Sequence, residues 1–250
     1  MEWTDEGIIL GSRRHGETSV ILEAMTREHG RHLGVVRGGR SRGMQPVLQA
    51  GNSVQLVWRA RLDNHLGHFV VEGLSLNAAG FLTSRLALYA ITHVAALVRL
   101  LPERDPHPNL HAALLQIVEL VGNPDLAPAV VARFELAILE ELGFGLDLSA
   151  CAATGETHDL IYVSPKSGRA VGRKAGAPWC DKLLPLPAFL RGQDGTPGAG
   201  DIADAFRLTR HFLERDVFGP RGIQLPQGRQ ALIEAALGGA GQAVDGKALS

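Results

Sequence analysis

The sequence predicts an α+β protein of several domains, in which a small N-terminal β-barrel is followed by helices and a short β-hairpin. Two observations lead to this prediction. Up to about residue 76, short apolar runs alternate with turn residues, which is typical of strands. From residue 78 the apolar residues recur with the period of an amphipathic helix. A chain of 250 residues is long enough for two or three small domains.

Five strands are expected in the N-terminal domain, residues 1–76. They cover residues 7–11, 18–25, 31–37, 53–61 and 67–74, with a turn at residues 12–17. Five short strands without a helical period suggest a closed barrel or a sandwich, and the count fits the five-stranded OB fold. In the fourth strand, Val54, Leu56 and Trp58 alternate with Arg59 and Arg61, so the first three are expected in the core and the arginines outside.

Helices dominate the rest of the chain. A helical domain is expected over residues 78–149, with helices at 81–101, 110–121 and 126–142. Residues 150–200 are irregular, apart from a hairpin formed by 160–164 and 169–171, and the Gly- and Pro-rich end at 192–200 is typical of a linker. Two C-terminal helices are expected within residues 201–238 and should pack on the helical domain, followed by a flexible tail at 239–250.

Positive charge is concentrated in residues 29–62. This segment contains six arginines and no Asp or Glu, although the formal net charge of the chain is only −1. Clustered arginine on a nearly neutral protein indicates a polyanion ligand, most simply nucleic acid. A solvated arginine-rich surface is the alternative, because arginine is abundant throughout: only four of the 25 basic residues are lysines.

The candidate contacts are the six arginines of this segment together with two from the predicted turn at residues 12–17. We predict that nucleic acid binds Arg13, Arg14, Arg31, Arg37, Arg40, Arg42, Arg59 and Arg61. The glycine-rich loop at residues 37–43 lets the backbone approach a polyanion closely. It lacks the Lys-Ser/Thr ending of a nucleotide phosphate loop, so we do not expect a mononucleotide site there.

No catalytic residue is predicted. The ten histidines form no His-Glu-x-x-His helix, and His107 and His111 are expected to be a surface pair rather than metal ligands. Two cysteines do not make a disulfide framework. The acidic start is unlike a signal peptide, and the most apolar run, residues 86–101, is too short to span a bilayer. We therefore expect a cytoplasmic protein that neither associates with a membrane nor acts on a small-molecule substrate.

Three runs of the sequence resemble the bacterial recombination mediator RecO. They are RFELAILEELGFGLDLSACAATG with IYVSPKSGRAV after it, the N-terminal GIILGSRRHGETSVILEAMTREHGR, and the C-terminal LTRHFLERDVFG. The resemblance covers nearly the whole chain in the family's order. It implies an N-terminal OB fold, a helical middle domain and an inserted zinc-ribbon-like hairpin. It also implies a non-enzymatic role in recombinational repair. The protein would then associate with the nucleoid when it is bound to DNA.

The resemblance also implies partners. RecO proteins bind single- and double-stranded DNA and anneal complementary strands. With RecR they help to load the RecA recombinase onto DNA covered by the single-stranded-DNA-binding protein, SSB. The acidic, phenylalanine-ended C-terminal tail of SSB needs an apolar pocket and a cation. Arg133 is the candidate cation, with Arg99 second, although an exposed helix arginine that pairs with Glu135 or Glu140 is the plainer interpretation.

The sequence departs from the family's zinc motif. Many RecO proteins have two Cys-x-x-Cys pairs, whereas here only Cys151 matches and Thr154, Val171 and Lys174 stand at or near the other positions. Structural zinc needs four ligands, so we expect a metal-free, degenerate ribbon and no cofactor. Cys151 and Cys180 are then ordinary buried or surface thiols.

Two other functions remain open. A protein adaptor would use the arginines to bind an acidic partner tail, and it would not bind isolated DNA. A metal-assisted nuclease would cleave labelled DNA when a metal ion is supplied. The recombination mediator is the function that the resemblance favours.

Overall fold

The computed structural model describes residues 1–192 and 195–242, and the chain forms two compact units, residues 1–122 and 123–250. The boundary after Gly122 falls within the segment 78–149 that the sequence suggested as one helical domain. The first part of that segment therefore belongs to the unit that contains the barrel, and the remainder belongs to the C-terminal unit.

The N-terminal unit is built on five strands. They are β1 (Glu2–His15), β2 (Ser19–Thr26), β3 (Gly30–Val36), β4 (Ser53–Arg59) and β5 (His68–Ser75). They close a barrel in the order β1-β2-β3-β5-β4, with all neighbours antiparallel except β3 and β5, which meet in parallel where Val35 pairs with His68. The predicted count of five strands and the closed barrel are therefore confirmed.

Strand β1 is longer than predicted because it serves two sides of the barrel. Its residues 2–8 pair with β4 and its residues 7–15 pair with β2, with an irregularity between Ile9 and Gly11 where the strand changes partner. The segment 12–17, predicted as a turn, is therefore strand up to His15, and only the tight turn at Gly16, with φ +61°, separates β1 from β2.

The barrel core follows the alternation that was predicted for β4. Val54, Leu56 and Trp58 are all 0% exposed, while Gln55 and Arg59 are exposed. Strand β4 ends at Arg59, so Arg61 lies in the irregular segment after the strand rather than on its outer face. The prediction of a core Trp58 is confirmed and the strand position of Arg61 is wrong.

Three helices complete the N-terminal unit: α1 (Ala78–Phe81), α2 (Arg85–Val98) and α3 (Pro108–Leu120). The sequence suggested one helix over 81–101. The chain instead breaks before α2, because the hydroxyl of Ser84 accepts a hydrogen bond from the N–H of Ala87 at 3.2 Å and caps the new helix.

The C-terminal unit combines four helices with a small sheet. The helices are α4 (Ala127–Glu141), α5 (Arg173–Gly176), α6 (Ala199–Phe212) and α7 (Gln227–Gln242), and the strands are β6 (Leu160–Val163), β7 (Ala170–Gly172) and β8 (Leu184–Pro185). A 3-10 helix covers Ala177–Lys182, and a π-helical turn at Leu213–Phe218 extends α6. The predicted hairpin is present as β6 and β7. Strand β8, which was not predicted, adds a third strand beside β6.

Two predicted segments lie partly outside the described residues. Residues 193–194 of the predicted linker 192–200 and residues 243–250 of the predicted tail 239–250 are not described. Residues 239–242 continue α7, so this helix runs beyond residue 238, the end of the segment in which the two C-terminal helices were expected. Within the described ranges, no helix is long and apolar enough to cross a membrane.

Candidate nucleic-acid interface

A cleft of about 590 Å³ on the barrel brings together three of the predicted arginines. Arg13 and Arg14 reach it from the end of β1, and Arg40 reaches it from the loop after β3. All three are exposed. Arg40 donates to the carbonyl oxygen of Glu17, so its guanidinium is held at the cleft by the β1–β2 turn. The result is a basic groove between two loops.

A second barrel cleft, of about 490 Å³, has a different character. Arg37 and Arg59 stand beside an apolar floor that includes Met44, Phe69 and Val70. Strand β5 provides much of this floor, and its Val70 is 58% exposed. The cleft therefore offers apolar surface next to two cations, which is suited to a ligand with both a flat apolar part and a negative charge.

Arg42 and Arg61 are exposed but lie in irregular segments and line neither barrel cleft. Their guanidinium groups make no hydrogen bond or ion pair within the described ranges. They are free to meet a ligand, and the structure does not organise them into either groove.

Arg31, which was predicted to contact nucleic acid, has a structural role instead. Its side chain is only 12% exposed and forms an ion pair with Glu23 at 2.8 Å. The same guanidinium donates twice, at 3.2 Å, to the carbonyl oxygen of Leu101, which ties β3 to the chain after α2. A buried guanidinium with these partners is not available to a phosphate, so we remove Arg31 from the candidate contacts.

Arg99, the second candidate for the partner peptide, is also engaged within the N-terminal unit. Its guanidinium pairs with Glu23 at 2.7 Å and donates to the carbonyl oxygen of Leu10 at 3.1 Å. Glu23 thus receives both Arg99 and Arg31. Arg99 therefore ties the C-terminal end of α2 to the barrel.

Carboxylates also lie close to the candidate arginines in the folded protein. Glu2, at the start of β1, pairs with Arg59 at 2.9 Å because β1 and β4 run side by side. The hydrogen bond from Arg59 lowers the pKa of Glu2. Glu17 lines the first cleft together with the three arginines there. The interface is therefore less purely basic than the segment 29–62 suggested.

Aromatic rings at one end of the barrel pack against one another. Trp3 stacks on His29 with ring centroids 4.0 Å apart, and it stacks on Trp58 at 5.7 Å. His32 packs edge-on against Trp58 and Phe69 at 4.9 and 5.9 Å. Burial lowers the pKa of His32 to about 4, so this histidine is neutral at pH 7. The cluster was not predicted, because its histidines and tryptophans are scattered in the sequence.

The histidine pair of α3 is not a surface pair, contrary to the prediction. His111 is 6% exposed and the side chain of His107 is 12% exposed. Burial lowers the pKa of His111. In the part of the chain that the structure describes, no three His, Cys, Asp or Glu side chains converge in a way that could hold a metal ion.

A separate cavity of about 270 Å³ lies beside Arg133 in the C-terminal unit. Its other lining residues are mostly apolar: Leu136, Ala137, Glu140, Leu146, Leu148 and Leu190. Arg133 donates to the carbonyl oxygen of Phe189 from Nε and Nη2, at 3.2 and 2.9 Å, and lies over the Phe189 ring at 5.7 Å. Glu135, which the sequence offered as a partner for Arg133, is fully buried and pairs with Arg229.

Cys151, at the start of the segment expected to be a metal-free ribbon, is held by hydrogen bonds within the protein. Cys151 is buried, and its sulfur accepts the backbone N–H of Gly172 at 3.2 Å. Burial raises the pKa of this thiol, but hydrogen bonds from the Thr154 side chain and from backbone N–H groups outweigh that effect and lower the pKa to about 7. Cys180 is exposed. These residues do not fit a four-ligand zinc site.

Comparison with known proteins gives matches along most of the chain. The family described as Recombination protein O N terminal matches residues 1–74, and Recombination protein O C terminal matches residues 82–222. The chain is 57% identical over 246 residues to the DNA repair protein RecO of Methylobacterium nodulans, which covers 96% of this chain and 100% of the relative. It is 60% identical to that of Chelativorans sp., over 95% of this chain and 96% of the relative. It is also 60% identical to that of Mesorhizobium japonicum, over 94% and 93%.

Proposed function

This chain belongs to the RecO family of DNA repair proteins, and we propose that it acts without catalysis as a recombination mediator that binds DNA on its barrel. In this proposal it binds single- and double-stranded DNA and anneals complementary strands. With RecR it helps to load RecA onto single strands covered by SSB. The protein adaptor remains the alternative, and it differs in that isolated DNA would not bind.

The observation that supports DNA binding best is the cleft lined by Arg13, Arg14 and Arg40. Gly38 and Gly39 line the same cleft, and Gly38 adopts φ +68° with open space where a side chain would be. A phosphate could therefore approach the backbone as well as the guanidinium groups. No base-specific arrangement is needed for such contacts, and we expect little preference for sequence.

We also propose that the barrel is an OB fold. Its closed order β1-β2-β3-β5-β4 and the parallel meeting of β3 with β5 support this assignment. OB barrels commonly carry single strands in a basic groove, and both arginine-lined clefts lie on this barrel.

Removing the three cleft arginines should weaken DNA binding in a salt-dependent way. If the wild-type chain neutralises about four phosphates, log K against log salt has a slope of roughly −3 for a single strand. Replacing Arg13, Arg14 and Arg40 by Ala should reduce the steepness of that slope by roughly 2. Fluorescence anisotropy of a labelled oligonucleotide over a salt series measures both slopes.

The matched control removes three arginines that are exposed but ion-paired elsewhere: Arg27, Arg207 and Arg210. This variant has the same change in net charge and should keep the wild-type slope. Equal slopes in the two triple variants would show that DNA does not bind at this cleft. A wild-type chain that fails to bind in dilute buffer would favour the adaptor.

For the SSB tail we propose the cavity beside Arg133. The tail ends in an apolar ring and a carboxylate, and this cavity combines leucine side chains with a guanidinium. Two of the hydrogen-bond donors of Arg133 are fixed on Phe189, and Nη1 makes no hydrogen bond to any described residue. A guanidinium held in this way can donate to a carboxylate without first being ordered.

Replacing Arg133 by Ala should cost about 1.5–3 kcal/mol of tail affinity, the contribution of one charged hydrogen-bonded contact. Titration of a fluorescent tail peptide into wild type and variant measures it, and DNA affinity should not change. Arg210→Ala, an exposed arginine of the same unit, is the control. If Arg133→Ala binds the peptide as tightly as wild type does, Arg133 is not part of the peptide site.

We further propose that the protein folds without structural zinc, because Thr154, Val171 and Lys174 supply none of the thiolates that the motif requires. Elemental analysis of protein purified without chelator should find well below one zinc per chain. Excess chelator should leave the melting temperature unchanged, since a metal-folded element would be lost on chelation. One zinc per chain would reveal a ligand set not visible in the described residues.

A further inference from the structure

The small sheet of the C-terminal unit carries an exposed tryptophan. Trp179 is 59% exposed and lies in the 3-10 helix Ala177–Lys182, just before β8. The other two tryptophans of the chain belong to the aromatic cluster of the barrel, where Trp58 is 0% exposed. An exposed tryptophan indicates a binding site more strongly than an exposed leucine does, since tryptophan is a favoured contact residue.

The backbone fixes the position of this ring. In a 3-10 helix, residues three apart lie one above the other, and Lys182 accordingly has its ammonium 5.5 Å from the centroid of the Trp179 ring. The start of the helix is set on the sheet by Gly176, where an added Cβ would lie 2.5 Å from the ring of Tyr162. The exposed Trp179 ring therefore has the ammonium group of Lys182 beside it.

Lysine is rare in this chain, yet three of the four lysines lie in this element. Lys166, Lys174 and Lys182 are all exposed, and their ammonium groups form no ion pair within the described ranges. The neighbouring arginines differ: Arg169 pairs with Asp147 at 3.2 Å and Arg173 pairs with Asp159 at 3.1 Å. The lysines are therefore available to an anion, although the exposed Asp181 stands next to Lys182 in the chain.

We propose that Trp179, Lys182 and Lys174 form a second contact for single-stranded nucleic acid, separate from the barrel clefts. In this proposal a base stacks on the face of the indole that Lys182 leaves open, and the two ammonium groups meet neighbouring phosphates. Lys174 lies in α5, which runs directly into the 3-10 helix that carries Trp179 and Lys182. A single strand suits this site because its bases can leave their stack, whereas the bases of a duplex present only their edges.

This inference deepens the proposed DNA binding and rests on it for the class of ligand. The flexible lysine stem delivers a point charge to a phosphate and leaves the flat ring free for the base.

The test uses the full chain and a fluorescein-labelled oligothymidylate, with binding followed by anisotropy and tryptophan emission followed with unlabelled oligonucleotide. Saturating DNA should quench the emission of wild type, and Trp179→Phe should lose that quenching while Trp3 and Trp58 still emit. Trp179→Ala should weaken binding roughly fivefold or more, at the scale of stacking one base on one ring. Replacing Lys174 and Lys182 together should reduce the steepness of the salt slope by roughly 1.4.

Phe144→Ala is the matched control, because Phe144 is an exposed ring, 39% exposed, in the same unit. It should bind DNA as wild type does. Unchanged emission at saturation, or equal affinity of Trp179→Ala and wild type, would overturn the inference while leaving DNA binding by the barrel intact. A wild-type chain that binds no DNA would instead overturn the proposed function and this inference with it.

Discussion

Replacing Arg229 by Ala should lower the free energy of unfolding of the C-terminal unit by about 3–5 kcal/mol, the usual cost of removing one partner of a buried ion pair. Arg229, in α7, donates to Glu135 of α4 at 2.7 and 3.0 Å. Their side chains are 4% and 0% exposed. Arg229 also donates to the carbonyl oxygen of Phe206 in α6, at 2.7 Å. One guanidinium thus joins three helices.

The physical reason for so large an effect is the carboxylate that remains. Without Arg229, the buried Glu135 loses the two charged hydrogen bonds that the guanidinium donates to it at 2.7 and 3.0 Å. Urea unfolding of wild type and variant, followed by circular dichroism, measures the loss. The exposed pair Arg210 and Glu214 is the control, because Arg210→Ala should cost less than about 1 kcal/mol.

A double variant separates charge from packing. Replacing Glu135 by Leu and Arg229 by Met removes both charges and keeps similar volume, so it should recover part of the stability lost in Arg229→Ala. Thr209 would still donate to the carbonyl oxygen of Ala205 at 3.1 Å. A double variant as unstable as the single one would show that helix packing, and not the loss of the ion pair, sets the cost.

Replacing Gly30 by Ala should destabilise the N-terminal unit by at least about 3 kcal/mol, because strain and overlap add. Gly30 begins β3 with φ +63°, a conformation that L-residues adopt at a cost. An added Cβ would lie 2.0 Å from the carbonyl oxygen of Asp105, whose backbone cannot yield as a flexible side chain does. This close approach is where the chain after α2 crosses the barrel.

Gly16 offers a control for strain without overlap. It has nearly the same φ, +61°, but no atom lies within 4 Å of the position of an added Cβ. Gly16→Ala should therefore cost only about 1–2 kcal/mol. Thermal and urea unfolding of the two variants give the difference. Equal losses would mean that the segment around Asp105 moves away at little cost.

Local pattern was sufficient for most of the secondary structure. The alternation in β4 identified Val54, Leu56 and Trp58 as core, because a strand on a barrel has one dry face and one wet face. The hairpin at β6 and β7 was readable from its turn residues. Strand β8 was missed, since two residues carry no period and depend on pairing with β6.

The candidate interface was predicted in part. The sequence placed Arg13, Arg14 and Arg40 among the basic residues, and folding brings these three to one cleft. It could not show that Arg31 and Arg99 both pair with Glu23. These three residues lie in β3, at the end of α2 and in β2, and only folding brings them together. A count of charges along a segment does not report which charges are neutralised in space.

By itself the sequence determined the family, the barrel that begins the chain, the helices that follow and an excess of arginine in residues 29–62. Only the tertiary structure decided which cations face solvent and which hold the fold together. The pair Glu135 and Arg229 is 94 residues apart in the chain, and its members meet because α4 and α7 pack side by side. Local periodicity reports which face of an element is buried, whereas ion pairing depends on which elements become neighbours.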